Sequence, residues 1–185
     1  MNIVDITTKD SLLNATKTLK SGGVLVFPTD TVYGIGCILD DIAAKKLYKI
    51  KNRRENKPTA VLMTEGIFEN VSTFEGQLPT EFWTGQMTII FKTEDFNIEF
   101  PKIITENNTI GVRLPHYVWL ENLIDEVGPI IASSANKTSE KTPVNFSEVS
   151  NDILNEVDLV IKTDEEGSAK ASTILDITKN HIIRD

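Results

Sequence analysis

The stretch "GGVLVFPTDTVYGIG", residues 22–36, sets the reading of the whole chain. Val24, Leu25, Val26 and Phe27 form a short run of strand formers, entered from two glycines and closed by Pro28. Proline cannot donate to a sheet ladder, so the strand ends there or lies at an edge. Beyond it come Thr29, Asp30, Thr31 and Tyr33, then Gly34 and Gly36. In open α/β sheets, ligands gather where strands end and loops meet a rigid scaffold. Two hydroxyls, a carboxylate and a phenol suit a small polar molecule there. The same residues also suit a capped turn, with Thr and Asp bonding nearby backbone.

Outward from this strand, short apolar runs alternate with amphipathic ones, the pattern of a mixed α/β domain. "TTKDSLLNATKTLKSGG" predicts a helix capped by Thr7 or Thr8, with Leu12, Ala15 and Leu19 on one face and Gly22 at its end. Asp40 or Asp41 caps a second helix carrying Ala43, Leu47 and Ile50. Further strands are predicted at 60–63, 88–91, 110–114, 130–133, 159–161, 172–177 and 182–183. Helices are predicted near 65–72, 79–84, 116–125 and 146–155, and mobile loops at 136–145 and 163–172.

The chain has 185 residues, 40% hydrophobic and 25% charged, which predicts one globular domain over 1–185. It contains no apolar run of the roughly 18 residues a membrane helix needs and no signal-like start. A single cysteine, Cys37, excludes an internal disulfide and suits a reducing cytoplasm. With His116 and His181 as the only histidines, a zinc site or a histidine-based triad has little to work with. The net charge of −8 argues against a generally basic nucleic-acid binder.

Against that acidity, "KIKNRRENKP" gathers Lys51, Arg53, Arg54 and Lys57 within seven residues. One or two cations would complement a helix C-terminus; four point to an anion, and to a polyphosphate in particular. "PIIASSANKTSEKTP" runs a strand into Ser133, Ser134 and Asn136, small polar residues that let phosphate oxygens approach backbone. It lacks the features of a Walker A loop, and no G-x-G-x-x-G occurs. In "TIGVRLP", Arg113 sits inside an apolar strand and needs a partner, either a structural acid or a ligand carboxylate. Ser172, Thr173 and Arg184 fall on late strands, where a structural role is the default.

In this order the segments resemble the YrdC family of L-threonylcarbamoyladenylate synthases, of the short TsaC type. The resemblance rests on P-T-D-T-V-Y-G-x-G at 28–36, Lys51-x-Arg53, Ser134-x-Asn136, V-R-L-P at 112–115 and S-T-I-x-D at 172–176. It implies a twisted open mixed sheet with flanking helices around a deep concave cleft, a YrdC-like fold similar to double-stranded-RNA-binding domains. It implies a nucleotidyltransferase that joins L-threonine, bicarbonate and ATP into threonylcarbamoyl-AMP and pyrophosphate, the first step of N6-threonylcarbamoyladenosine (t6A) modification of tRNA. Downstream transferase proteins would be the partners, with weak tRNA contact and no membrane.

By the same resemblance Lys51, Arg53, Ser134 and Asn136 form the catalytic tetrad. ATP would be held by Lys51, Arg53, Lys57, Thr109, Ser134, Thr142 and Arg184, and threonine by Thr31, Arg113, the Ala132 backbone and Ser172. No resident metal or tightly bound cofactor is implied; Mg²⁺ would arrive on ATP. Leu62 stands where some relatives carry a histidine that contacts threonine, and Ser133 where a proline is common. The alternative function is a non-catalytic RNA-binding module using the same basic cleft.

Overall fold

The computed structural model describes residues 2–55, 57–165 and 167–184. Among the described residues ten strands form one sheet: β1 (Ile3–Asp5), β2 (Leu25–Phe27), β3 (Gly34–Ile38), β4 (Ala60–Leu62), β5 (Met87–Lys92), β6 (Thr109–Arg113), β7 (Ile130–Ser134), β8 (Leu159–Lys162), β9 (Thr173–Asp176) and β10 (His181–Arg184). Their order is β1-β8-β2-β3-β7-β4-β6-β5-β9-β10. Pairs β1–β8, β2–β8, β4–β6 and β5–β9 are parallel and the other five antiparallel, so the sheet is mixed and open.

Among the described residues six α-helices flank it: α1 (Ser11–Lys20), α2 (Asp41–Ile50), α3 (Glu65–Val71), α4 (Thr80–Trp83), α5 (Val118–Val127) and α6 (Asn151–Leu154). The strand period of two sorts side chains between the faces. One face packs Val26, Ile35, Val61, Ile89, Val112 and Ile131 against Leu47 of α2, Phe68 of α3 and Phe82 of α4. The other joins Leu25, Phe27, Leu62 and Ile130 to Leu19 of α1 and Leu123 and Ile124 of α5. α1 lies over β8, β2 and β3 and packs on α5. The rest of this face, over β4, β6, β5, β9 and β10, is the floor of a cavity.

Local chemistry explains the helix ends. Asp40 accepts N–H bonds from Ile42 and Ala43, a cap worth about 1 kcal/mol. α1 stops in a Schellman turn: Gly22, at φ +79°, donates to the Leu19 carbonyl, and Gly23 donates to that of Thr18. Its start differs from expectation. The Thr7 and Thr8 hydroxyls bond Asp5 instead, and the N-cap position falls to Asp10 without a side-chain bond.

The helix expected over 146–155 is broken, because Val149 and Ser150 are extended. A 3-10 turn (Phe146–Glu148) precedes the break, and Ser150 caps the short α6 after it. Strands β1 and β3 were not anticipated. β3 reads G-I-G-C-I, and its glycines concealed it. A Cβ on Gly34 would come within 3.0 Å of the Phe27 ring, and one on Gly36 within 2.6 Å of the Ile131 carbonyl.

Candidate functional site

The cavity has a volume of about 1050 Å³. Its floor follows from strand register. Ala132, Ala60, Gly111 and Ile90 stand side by side on β7, β4, β6 and β5. Three small residues in a row let a ligand approach the backbone of the sheet. Two residues to one side, Leu62, Arg113 and Thr88 form the next row. Two residues to the other, Ser134 extends β7, and Thr109 faces Lys92. The rows of Arg113 and Thr109 lie four residues apart on β6, about 13 Å. All of these residues line the cavity.

The loop between β2 and β3 reaches one end. Two strands, β7 and β4, separate β3 from β6. Even so, Arg113 Nη1 donates to Thr31 Oγ1 (3.0 Å) and Nη2 to Asp30 Oδ2 (2.7 Å). Nε donates to the Gly85 carbonyl at 2.9 Å. Arg113 therefore already has a structural acid, the first of the two kinds of partner its place in an apolar strand calls for. Burial pulls its pKa down while the Asp30 charge acts against that shift. Among the described residues three of its five guanidinium N–H groups find partners, leaving one on each terminal nitrogen for a carboxylate.

Thr31 is itself fixed. Its hydroxyl meets that of Thr29 at 3.1 Å, and the Thr29 hydroxyl donates to the Val32 carbonyl. Ser168 and Ala169 donate backbone N–H bonds to the Asp30 and Thr31 carbonyls. Gly167 crosses so close that any Cβ would collide with the Thr31 carbonyl. The expected mobile loop 163–172 is thus, apart from Glu166, which lies outside the described residues, a strap held against the threonine motif. It ends at Ser172, whose hydroxyl pairs with that of Thr88 at 2.8 Å and whose carbonyl accepts two bonds from Arg184. A second cavity of about 670 Å³ lies beside Asp30, Thr31, Ser168 and Ala171.

At the other end Arg53 and Lys57 join Ser134, Thr109 and Thr142 on the cavity wall, whereas Arg184, which the resemblance gave to ATP, lies in register with Ile174 beside Thr88 and so lines the cavity in the row of Arg113. Arg53 stacks over the Tyr48 ring at 5.6 Å and donates to the Lys57 and Pro58 carbonyls, so its loop is braced from within. Lys51 and Asn136 are placed differently. Lys51 is 2% exposed and its ammonium donates to the Ser134 and Asn136 carbonyls, the latter at 2.5 Å. Burial, with the charges of Arg53 and Lys57 adding to it, lowers its pKa to about 7. The Lys51 carbonyl in turn accepts the Thr138 N–H and hydroxyl. Asn136 donates to the Lys137 and Glu140 carbonyls and keeps Oδ1 buried without a partner among the described residues.

The four tetrad residues therefore gather at one place, with Arg53 and Ser134 on the surface of the cavity and Lys51 and Asn136 behind it. Sequence reasoning missed Asp30 as the partner of Arg113, although both residues were singled out. It also missed Gly167, whose signal would have been a glycine in an otherwise polar loop.

With this geometry in view, comparison with known proteins is decisive. Residues 17–185 match the profile of the Sua5/YciO/YrdC family, described as "Telomere recombination". The chain belongs to that family. It is 28% identical over 171 residues to a protein of Pyrococcus abyssi named threonylcarbamoyl-AMP synthase, covering 87% of this chain and 49% of that one. The P. abyssi Sua5 structure complexed with L-threonine superposes with a TM-score of 0.83 at 26% identity, over 96% of this chain and 55% of that one. Escherichia coli YciO shares the fold, with a TM-score of 0.81 at 22% identity over 100% of this chain and 93% of that one. This member of the Sua5/YciO/YrdC family thus spans about half the length of its P. abyssi relative.

Proposed function

We propose that the chain joins L-threonine, bicarbonate and ATP into threonylcarbamoyl-AMP and pyrophosphate, the first step of t6A formation on tRNA. The observation that carries this reading is a single cavity with an amino-acid end at Thr31, Arg113 and Ser172 and a cationic end at Arg53, Lys57 and Ser134. The names of its relatives support the same reaction.

Threonine's carboxylate takes the two open N–H groups of Arg113. Its ammonium condenses with bicarbonate to a carbamate, releasing one water and one proton. A carbamate oxygen then bonds to the α-phosphorus of ATP as the bond to the bridging oxygen breaks and pyrophosphate departs. No protein nucleophile is required. Catalysis rests on holding the reactants in line and on cations meeting charge that develops on phosphate oxygens. Arg53 and Lys57 supply those cations, and Mg²⁺ comes with ATP as part of the substrate. Lys51 acts behind them by fixing the carbonyls of Ser134 and Asn136. We place the reaction in the cytoplasm, with threonylcarbamoyl-transferring proteins consuming the product.

The test is pyrophosphate release by the purified chain, with the nucleotide product identified by mass. Release requiring both threonine and bicarbonate supports the reading. No release, in an assay where a known synthase works, contradicts it. Salt-dependent tRNA binding without turnover would favour the RNA-binding module.

A further inference from the structure

We propose that Leu62 makes the amino-acid pocket select its substrate side chain by shape and not by hydroxyl, so that L-valine is used alongside L-threonine. This rests on the cavity's being the threonine site and deepens that reading. Leu62 and Arg113 are in register on neighbouring parallel strands, side chains on the same face. In-register neighbours stand about 5 Å apart, well within reach of the side chain of an amino acid whose carboxylate lies on Arg113. Leu62 is 3% exposed and, with Ala132, is where an apolar cluster meets the cavity. Behind it in register is Ile130, and Leu123 and Ile124 of α5 belong to the same cluster. The β4 side of Arg113 is therefore hydrocarbon.

The hydroxyls elsewhere in this end of the cavity already hold protein partners. Thr29 donates to the Val32 carbonyl, Thr31 meets Thr29 and Arg113, and Thr88 and Ser172 hold each other. Thr59 donates to the Ala132 carbonyl at 2.9 Å. A substrate hydroxyl directed toward Leu62 gains no hydrogen bond, whereas a methyl group there is buried against carbon. Threonine and valine differ only by exchange of that hydroxyl for a methyl. An apolar pocket separates such isosteres by about 100-fold at most, whereas a site built to bond the hydroxyl separates them by about 10⁴-fold or more. Serine lacks the methyl group, and loss of one such group from an apolar pocket costs about 10-fold or more. With valine the chemistry is unchanged: ammonium and bicarbonate give carbamate, water and a proton, and the carbamate oxygen displaces pyrophosphate from ATP.

The experiment compares kcat/KM for L-threonine, L-valine and L-serine in pyrophosphate release by the wild-type chain, with each acyl-AMP product identified by mass. Valine within about 100-fold of threonine, with serine at least about 10-fold below threonine, supports the proposal. A larger preference for threonine over valine overturns it, as does serine equalling threonine. Leu62→Asn, with the same heavy-atom branching but carrying a donor, should move the threonine-to-valine ratio toward threonine by about 10-fold or more. An unchanged ratio in the folded variant overturns the role of Leu62. If that variant does not fold, the wild-type ratios still decide. Threonine turnover with valine rejected sinks this inference alone; absence of turnover with threonine sinks the underlying reading as well.

Discussion

Lys51 lies beneath the Asn136 backbone, its ammonium 2.5 Å from that carbonyl and 2% of the residue exposed. It also donates to the Ser134 carbonyl, so one buried cation ties the helix-end loop of α2 to the loop after β7. This makes Lys51 a positioning residue. Lys51→Met is expected to lower kcat by more than tenfold, because Ser134 loses its anchor. Lys51→Arg should not rescue it, since a forked guanidinium does not fit a space shaped for a point charge. Wild-type turnover in either variant would contradict the role.

The same burial makes stability depend on pH. The Lys51 pKa is lowered to about 7 in the folded chain, from 10.5 when unconstrained. Between these values the unfolded chain binds more protons, so stability rises with pH there. From pH 7 to 9 this group alone adds about 2 kcal/mol. The difference in unfolding free energy between wild type and Lys51→Met, from urea titrations at both pH values, should shift toward wild type by that amount. A difference that does not change with pH would refute the shift.

Arg113 is predicted to act mainly on threonine. Charge-assisted hydrogen bonds contribute about 1.5–3 kcal/mol, so Arg113→Ala should raise the threonine KM roughly 10-fold to 150-fold with less effect on that for ATP. Steady-state kinetics with each substrate varied in turn checks this. Equal effects on both substrates would reject the assignment.

Asp30 is predicted to act on stability. Its carboxylate pairs with an Arg113 side chain only 9% exposed. Removing it by Asp30→Ala strands a buried charge, at a cost of about 3 kcal/mol. For a domain of this size the Tm should fall by roughly 6–12 °C. A Tm within 2 °C of wild type would show that the pair contributes little.

Gly167→Ala adds one methyl group where the Thr31 carbonyl stands. The strap must lift, weakening the Ser168 and Ala169 bonds to the Asp30 and Thr31 carbonyls. The threonine KM should rise about tenfold while the far-UV circular dichroism is unchanged. An unaltered KM would mean that the strap does not hold Thr31.

Much of this site was legible because charge and hydroxyl patterns betray it in sequence. The cations at 51–57 stand out in an acidic chain, and Arg113 stands out in an apolar strand. Strands of branched residues and helices with a capping Asp40 were equally visible. What remained hidden depends on distant residues. β3 is a strand because Phe27 and Ile131 close over its glycines, not because its own residues favour one. β1 is three residues held at an edge by β8. The Asp30–Arg113 pair joins residues 83 apart through a loop spanning two strands. The withdrawal of Lys51 behind the cavity is a matter of burial, on which the K-x-R spacing of the motif is silent.

The most direct test of one shared cavity is a crystal structure of the chain with L-threonine and a non-hydrolysable ATP analogue bound together. The account predicts the threonine carboxylate on Arg113 and the phosphates against Arg53, Lys57 and Ser134, within a single continuous cavity. Nucleotide and amino acid in separate cavities, or threonine without contact to Arg113, would contradict it.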